Sequence, residues 1–251
     1  MSYQAFAKPI MSFLSGIDNP RILEIGVDKG QTSIPLIHNL TLECNRFLYE
    51  GIDLVIQDSV IQSLTAMLNV SVNQLEDSPN VNLIKGNSLS LLQVLIEENL
   101  KYDLVLVDGD HNYHTVSKEL EMIQDLCHPT SLIICDDYFG KWEKKDLYYS
   151  EYEHYSDVSD TTPRKNTKKQ GVRSAVDDFV KNSDSRWSCY SMLVGDGDQE
   201  IKGADFCILH QKNFIKLTCE PGANYMYETK LKMEINGSFS HRFIDSPLRS
   251  M

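Results

Sequence analysis

A chain of 251 residues is long enough to bury one sizeable core, and α/β domains of this size are often single units. Its formal charge of -12 opposes a nucleic-acid partner, which needs a positive footprint; the basic stretch from Arg164 to Arg173 weakens that only slightly. No uncharged apolar run could span a bilayer, the start lacks the features of a secretory signal, and the six cysteines show no C-x-x-C spacing, so a cytosolic protein with reduced thiols is expected.

Strand-like and helix-like segments alternate along the chain. The first strand is expected at Arg21–Ile25, followed by a glycine turn and a helix carrying Ile34 and Ile37. Pro35 fits that helix only near its start, because deeper it would remove a backbone hydrogen bond. A second strand near Phe47–Ile52 ends in Asp53, and Asp58 is read as the cap of a helix with Val60, Ile61, Leu64, Met67 and Leu68 at helical spacing. Val81–Ile84 leads through Gly86-Asn87-Ser88 into a helix around Leu91–Leu95. The apolar run Leu104–Val107 ends in Asp108, and Val116, Leu120, Ile123 and Cys127 are expected to share the next helix face. A further apolar run, Leu132–Cys135, ends in Asp136-Asp137.

Residues 138–170 break the rhythm. They are rich in tyrosine, then acidic, then basic, and read as a lid, a binding loop or disorder. A helix resumes at Gly171 with Val172, Ala175, Val176 and Phe179. Two strands near Arg186–Val194 and Ala204–His210 are joined by a hairpin turn at Gly195-Asp196-Gly197-Asp198. From about Gln211 no period is evident, and the segment reads as an appended arm or an oligomer contact. The expected architecture is α/β, a doubly wound, mostly parallel seven-stranded sheet covered on both faces, closing in an antiparallel hairpin. Its division is 1–210, with a lid-like insertion at 138–170, and a C-terminal extension at 211–251.

Two buried strands that end in carboxylates describe a site. In an open α/β sheet, ligands sit outside the carboxyl ends of the strands. Grouping Asp108, Asp136 and Asp137 there is costly unless a cation compensates them, and hard oxygen donors suit magnesium or manganese. His111, three residues past Asp108, has an ordinary pKa near 6.5 that suits proton removal near neutrality, and the carboxylates are expected to raise it. His114 is a reserve candidate; Asp110 either orients His111 or is exposed.

Glu24, Gly26 and Gly30 form E-x-G-x-x-x-G after the first strand. The loop lacks G-x-G-x-x-G, which opposes a nicotinamide-dependent oxidoreductase. It resembles motif I of the class I S-adenosylmethionine-dependent methyltransferases, and the helix from Gly171 with its following hairpin is similar to that family's end. The likeness spans about residues 20 to 210 and is nearest the macrocin-type sugar O-methyltransferases, with the catechol O-methyltransferases more distant.

The resemblance implies a Rossmann-like methyltransferase fold and a cofactor, S-adenosylmethionine, on Glu24, Gly26, Gly30, Thr32, Asp53, Asn87, Ser88 and Asp108. Asp53 would accept from the ribose hydroxyls, with Glu50 a less well-placed competitor, and Asn87-Ser88 would either meet the adenine or cap a helix. A divalent metal, usually magnesium, would sit on Asp108, Asp136 and Asp137, and His111 would be the general base. Asp137 could instead cap a turn, and Asp108 could serve cofactor or backbone alone. The expected activity is O-methylation of a small acceptor, a sugar or glycan, with a catechol-like aromatic acceptor or a cofactor-binding protein without chemistry as rivals.

Overall fold

The alternating apolar runs form alternating strands and helices in a computed structural model that describes residues 10–155, 157–191, 206–221, 228–235 and 246–249. One sheet holds β1 (Arg21–Ile25), β2 (Leu48–Asp53), β3 (Val81–Lys85), β4 (Tyr102–Val107), β5 (Cys127–Cys135), β6 (Trp187–Ser191) and β7 (Cys207–Gln211), in the order β3-β2-β1-β4-β5-β7-β6. The first five strands run parallel, while β7 runs antiparallel to both β5 and β6. This is the expected α/β fold. The turn expected at 195–198 lies outside the described residues.

Among the described residues, helices α1 (Ser33–Glu43), α2 (Asp58–Leu68), α3 (Val72–Glu76), α4 (Ser88–Glu97), α5 (Tyr113–Ile123) and α6 (Gly171–Asn182) accompany these strands. Side chains alternate across a strand, so each central strand feeds two cores. Ile22, Leu104, Leu106, Leu132 and Ile134 join one cluster with Leu36, Leu40, Val60 and Leu64 from α1 and α2. Leu23, Ile25, Val105, Val107 and Ile133 join the other with Leu92, Val116, Leu120, Val176 and Phe179 from α4, α5 and α6. The helices therefore cover both faces of the sheet.

Local details correct several expectations. Pro35 is indeed in the first turn of α1, where its missing N–H breaks no bond. Asp58 is the first residue of α2 and not its cap; Gln57 precedes it, and the carboxylate complements the helix dipole from inside the first turn. Cys127 does not extend the face of α5, because the helix stops at Ile123 and Cys127 opens β5 opposite Tyr102. The C-terminal extension holds a second, antiparallel sheet, β10-β9-β8, from β8 (Ile215–Pro221), β9 (Glu228–Ile235) and β10 (Ser246–Arg249). Its signal was a two-residue alternation, Ile215, Leu217, Cys219 and then Leu231, Met233, Ile235.

The parallel ladders continue one bond past the strand ends. Asp108 N donates to Ile25 O at 2.8 Å, Gly26 N to Ile52 O at 2.8 Å, Gly86 N to Asp53 O at 2.8 Å and Asp136 N to Val107 O at 3.0 Å. The first loop residues after β1, β3, β4 and β5 are thus held abreast along one edge. That edge includes the gap between β1 and β4, where the strand order reverses, the position at which open α/β sheets bind ligands.

The edge is only as firm as the core beneath it. Leu106 in β4 is fully buried. Leu106→Ala should destabilise the protein by about 2–5 kcal/mol, the range for deleting a buried leucine side chain. A urea titration should show the midpoint falling accordingly.

Candidate active site

The glycine loop is built by a close approach of backbones. Gly26 has φ of +91°, and a Cβ there would lie 2.1 Å from the carbonyl oxygen of Asp108. Its missing side chain first of all lets β1 end against β4, and ligand access comes second. Gly30 has φ of +73°, and its N–H closes a turn onto Val27 O at 2.8 Å.

Asp53 holds this loop in place. Its Oδ2 accepts from the amides of Val27 and Asp28, both at 2.8 Å, and Oδ1 accepts from Val55 N at 3.0 Å. The residue expected to meet a ribose is therefore also the anchor of the glycine turn. Glu24 is buried; Ser33 Oγ donates to its Oε2 at 2.8 Å, and the Tyr49 hydroxyl donates to the same oxygen. Burial lifts its pKa to about 7, against the pull of those two donors. Asn87 caps α4, its Oδ1 accepting from Leu89 N at 3.0 Å.

The second half of the site follows β4 and β5. Burial, then the charge of Asp136, hold the Asp108 carboxyl well above the usual carboxylate range. His111 is buried between two acids: Nδ1 lies 3.4 Å from Asp137 Oδ2 and Nε2 lies 3.9 Å from Asp108 Oδ1. Burial lowers the imidazole to about 4, outweighing the upward pull of Asp136. The expectation that carboxylates raise it is thus reversed, because desolvation of the cation is the larger effect. Asp137, at φ of +55°, turns its carboxylate toward the histidine.

Asp110 neither orients His111 nor lies exposed. It is buried, accepting from Thr115 Oγ1 and from Tyr149 N, each at 3.2 Å. His114 sits in the first turn of α5 and lines neither recess described next.

Two recesses adjoin along the edge. One, about 50 Å³, runs between Asp53, Asn87, Ser88 and Gly109. The other, about 210 Å³, is lined by Glu24, Thr32, Asp108, His111 and Asp136. Gly26, Asp28, Asp108 and Tyr149 belong to both, so the two form one bent crevice. Among the described residues its walls carry Glu24, Asp28, Asp53, Asp108, Asp110 and Asp136 beside Lys29 and His111.

Sequence reasoning met Tyr155 only as one of the insertion's tyrosines and passed over Thr162 and Glu119. Tyr155 and Thr162 line the narrower recess from within the insertion. Glu119 lies beneath it, fully buried, with Ser88 Oγ donating to its Oε1 at 2.6 Å. The signal for Glu119 was an acid at position 119 inside the apolar stripe Val116, Leu120, Ile123. Burial raises its pKa to about 8, which favours its protonated form near neutrality.

Comparison with known proteins finds related folds. Residues 23–138 match a family model described as a methyltransferase domain. No curated protein matches the chain. Among solved structures, the O-methyltransferase TomG from Streptomyces achromogenes in complex with S-adenosylmethionine is 19% identical, with a TM-score of 0.52 over 82% of this chain and 79% of its own. The methyltransferase PaMTH1 from Podospora anserina, bound to S-adenosylhomocysteine, is 19% identical with a TM-score of 0.51, covering 81% of this chain and 76% of its own. An O-methyltransferase from Bacillus cereus, also with S-adenosylhomocysteine, is 17% identical with a TM-score of 0.50, covering 81% and 79%.

The buried acid Glu119 makes stability pH-dependent. Its folded pKa exceeds the ordinary 4.5, so the folded chain binds the extra proton and stability falls as pH rises from about 4.5 to about 8. Glu119→Gln should remove that component. Urea midpoints measured from pH 5 to 9 should decline less for the variant than for the unmodified chain. Residues 23–138 are thus similar to a methyltransferase domain, and the chain shares the fold of these S-adenosylmethionine- and S-adenosylhomocysteine-bound proteins.

Proposed function

We propose that this protein transfers the methyl group of S-adenosylmethionine to a hydroxyl of a small acceptor, a sugar or glycan, with His111 as general base. The observation that carries the reading is the acidic crevice with a buried, neutral histidine at one end. A sulfonium and an ammonium in one ligand answer the acidic walls, and the glycine turn admits backbone contact with the rest.

His111 is arranged for proton removal. With Nδ1–H turned to Asp137 Oδ2, the other ring nitrogen, Nε2, is the acceptor. The acceptor hydroxyl gives its proton to Nε2 as its oxygen forms a bond to the methyl carbon. The carbon–sulfur bond breaks in line, its electron pair stays on sulfur, and S-adenosylhomocysteine leaves. Since an electron-rich oxygen meets a cationic donor, holding the two in line supplies much of the gain.

The donor chemistry of Asp108 and Asp136 suits a magnesium-class cation, which is often held by one or two carboxylates with the rest of its shell from water and substrate. Asp137 is committed to His111, and among the described residues no group of three or more His, Cys, Asp or Glu is arranged to hold an ion. Bound at the Asp108–Asp136 pair, such a cation would lower the cost of ionising the acceptor hydroxyl.

His111→Ala should keep cofactor affinity, read by calorimetry, and lose roughly 10²–10⁴-fold in turnover, the range for a positioned general base. Asp137→Asn should lose less than His111→Ala, because the ring loses orientation but not its acceptor nitrogen. An unaltered rate for His111→Ala would sink the base assignment. Exhaustive chelation followed by magnesium should abolish and then restore transfer; full activity after chelation would sink the metal assignment and leave the base standing.

A further inference from the structure

The tyrosine-rich insertion was read as a lid, a binding loop or disorder. Two of its tyrosines line the crevice beside Asp53 and Gly26. Tyr149 and Tyr155 pack with ring centroids 4.7 Å apart and line the narrower recess together with Asp53 and Asn87. The segment that bears them is tied down on both sides of the crevice. On one side Leu147 N donates to His111 O at 2.9 Å and Tyr149 N to Asp110 Oδ1 at 3.2 Å. On the other, Asn87 Nδ2 donates to Asp160 O at 2.7 Å and to Thr162 Oγ1 at 3.0 Å.

We propose that Tyr149 and Tyr155 form a clamp on S-adenosylmethionine itself, Tyr155 covering the adenine and Tyr149 covering the sulfonium. The assignment rests on the cofactor reading above and goes beyond it, since it gives the insertion a ligand. Tyr155 lines only the Asp53–Asn87 recess, where a flat base would lie, and an aromatic ring is a sequence-tolerant platform for any base. Tyr149 lines both recesses. Their junction is where the adenosyl and methionyl halves of the ligand meet, which is its sulfur. A ring face there attracts a positive sulfonium and is indifferent to the neutral thioether of the product.

The clamp also explains the small recess. Its space of about 50 Å³ is about a quarter of the roughly 210 Å³ of the recess with which it forms the crevice. The rings must swing away for the ligand to enter and close on it afterwards. Because the strap carrying them is bonded to the carbonyl of His111, their closure and the placing of the base share one segment.

Calorimetry with S-adenosylmethionine and S-adenosylhomocysteine tests this on Tyr155→Ala, Tyr149→Ala and the two phenylalanine variants, each checked for folding by thermal melting. Tyr155→Ala should weaken both ligands about tenfold, the size of one aromatic–base stacking contact. Tyr149→Ala should weaken S-adenosylmethionine roughly fivefold more than S-adenosylhomocysteine, the scale of one cation–π contact. Both phenylalanine variants, which keep the ring faces, should bind as the unmodified chain does. Unchanged affinities in both folded alanine variants, with a raised KM for acceptor, would assign the tyrosines to the acceptor and overturn the clamp while sparing the cofactor reading. Failure of the unmodified protein to bind either ligand would overturn both. If an alanine variant does not fold, the phenylalanine variant of that position decides whether ring or hydroxyl matters: lost affinity there also refutes the clamp.

Discussion

The approach of Gly26 to the end of β4 is the constraint on which the site depends. Any side chain at that position would meet the Asp108 carbonyl, so the two strand ends could not sit abreast. With glycine there, Asp108 N completes a bond to Ile25 O, and the neighbouring ladders extend in the same way. Both halves of the crevice are placed by this one edge: the glycine turn on one side, the carboxylates and His111 on the other. Asp53 then fixes the turn by accepting two of its amides.

Electrostatics divide the same edge into groups with different charge states. Glu24 and Glu119 are lifted by burial, and Asp108 is lifted by burial and by Asp136 beside it. His111 is pushed the opposite way by the same loss of water. A site dense in acids therefore carries less charge than its composition states, and burial favours the neutral form of its histidine. Burial is the largest cause of each of these shifts.

Much of this was legible in the sequence, because apolar runs that end in Asp53, Asp108 and Asp136 name both the strands and the edge where they stop. The expected sheet, the helix at Gly171 and the grouping of Asp108, His111, Asp136 and Asp137 all follow from that pattern. What was not legible depends on contacts across the chain. Asp110 could be given a partner only once Tyr149, 39 residues away, was folded against it. The direction of the His111 shift turned on how much water the fold removes, which no local spacing states. Cys127 misled because an apolar residue four positions past Ile123 suits a helix face and a strand start equally well. The extension's alternation at Ile215–Cys219 was present but short, and it was passed over beside the stronger helical periods.

Asp137 has a further consequence. Its backbone sits at φ of +55°, a left-handed conformation that a glycine would adopt with less strain. Its carboxylate faces the histidine only because the chain turns in this way immediately after β5. Fold and chemistry thus make opposite demands of a single Cα: the residue that would relax the turn is the one that would leave the imidazole unsteered. A more robust version of this protein would have to gain its robustness elsewhere, in the two cores beneath the sheet.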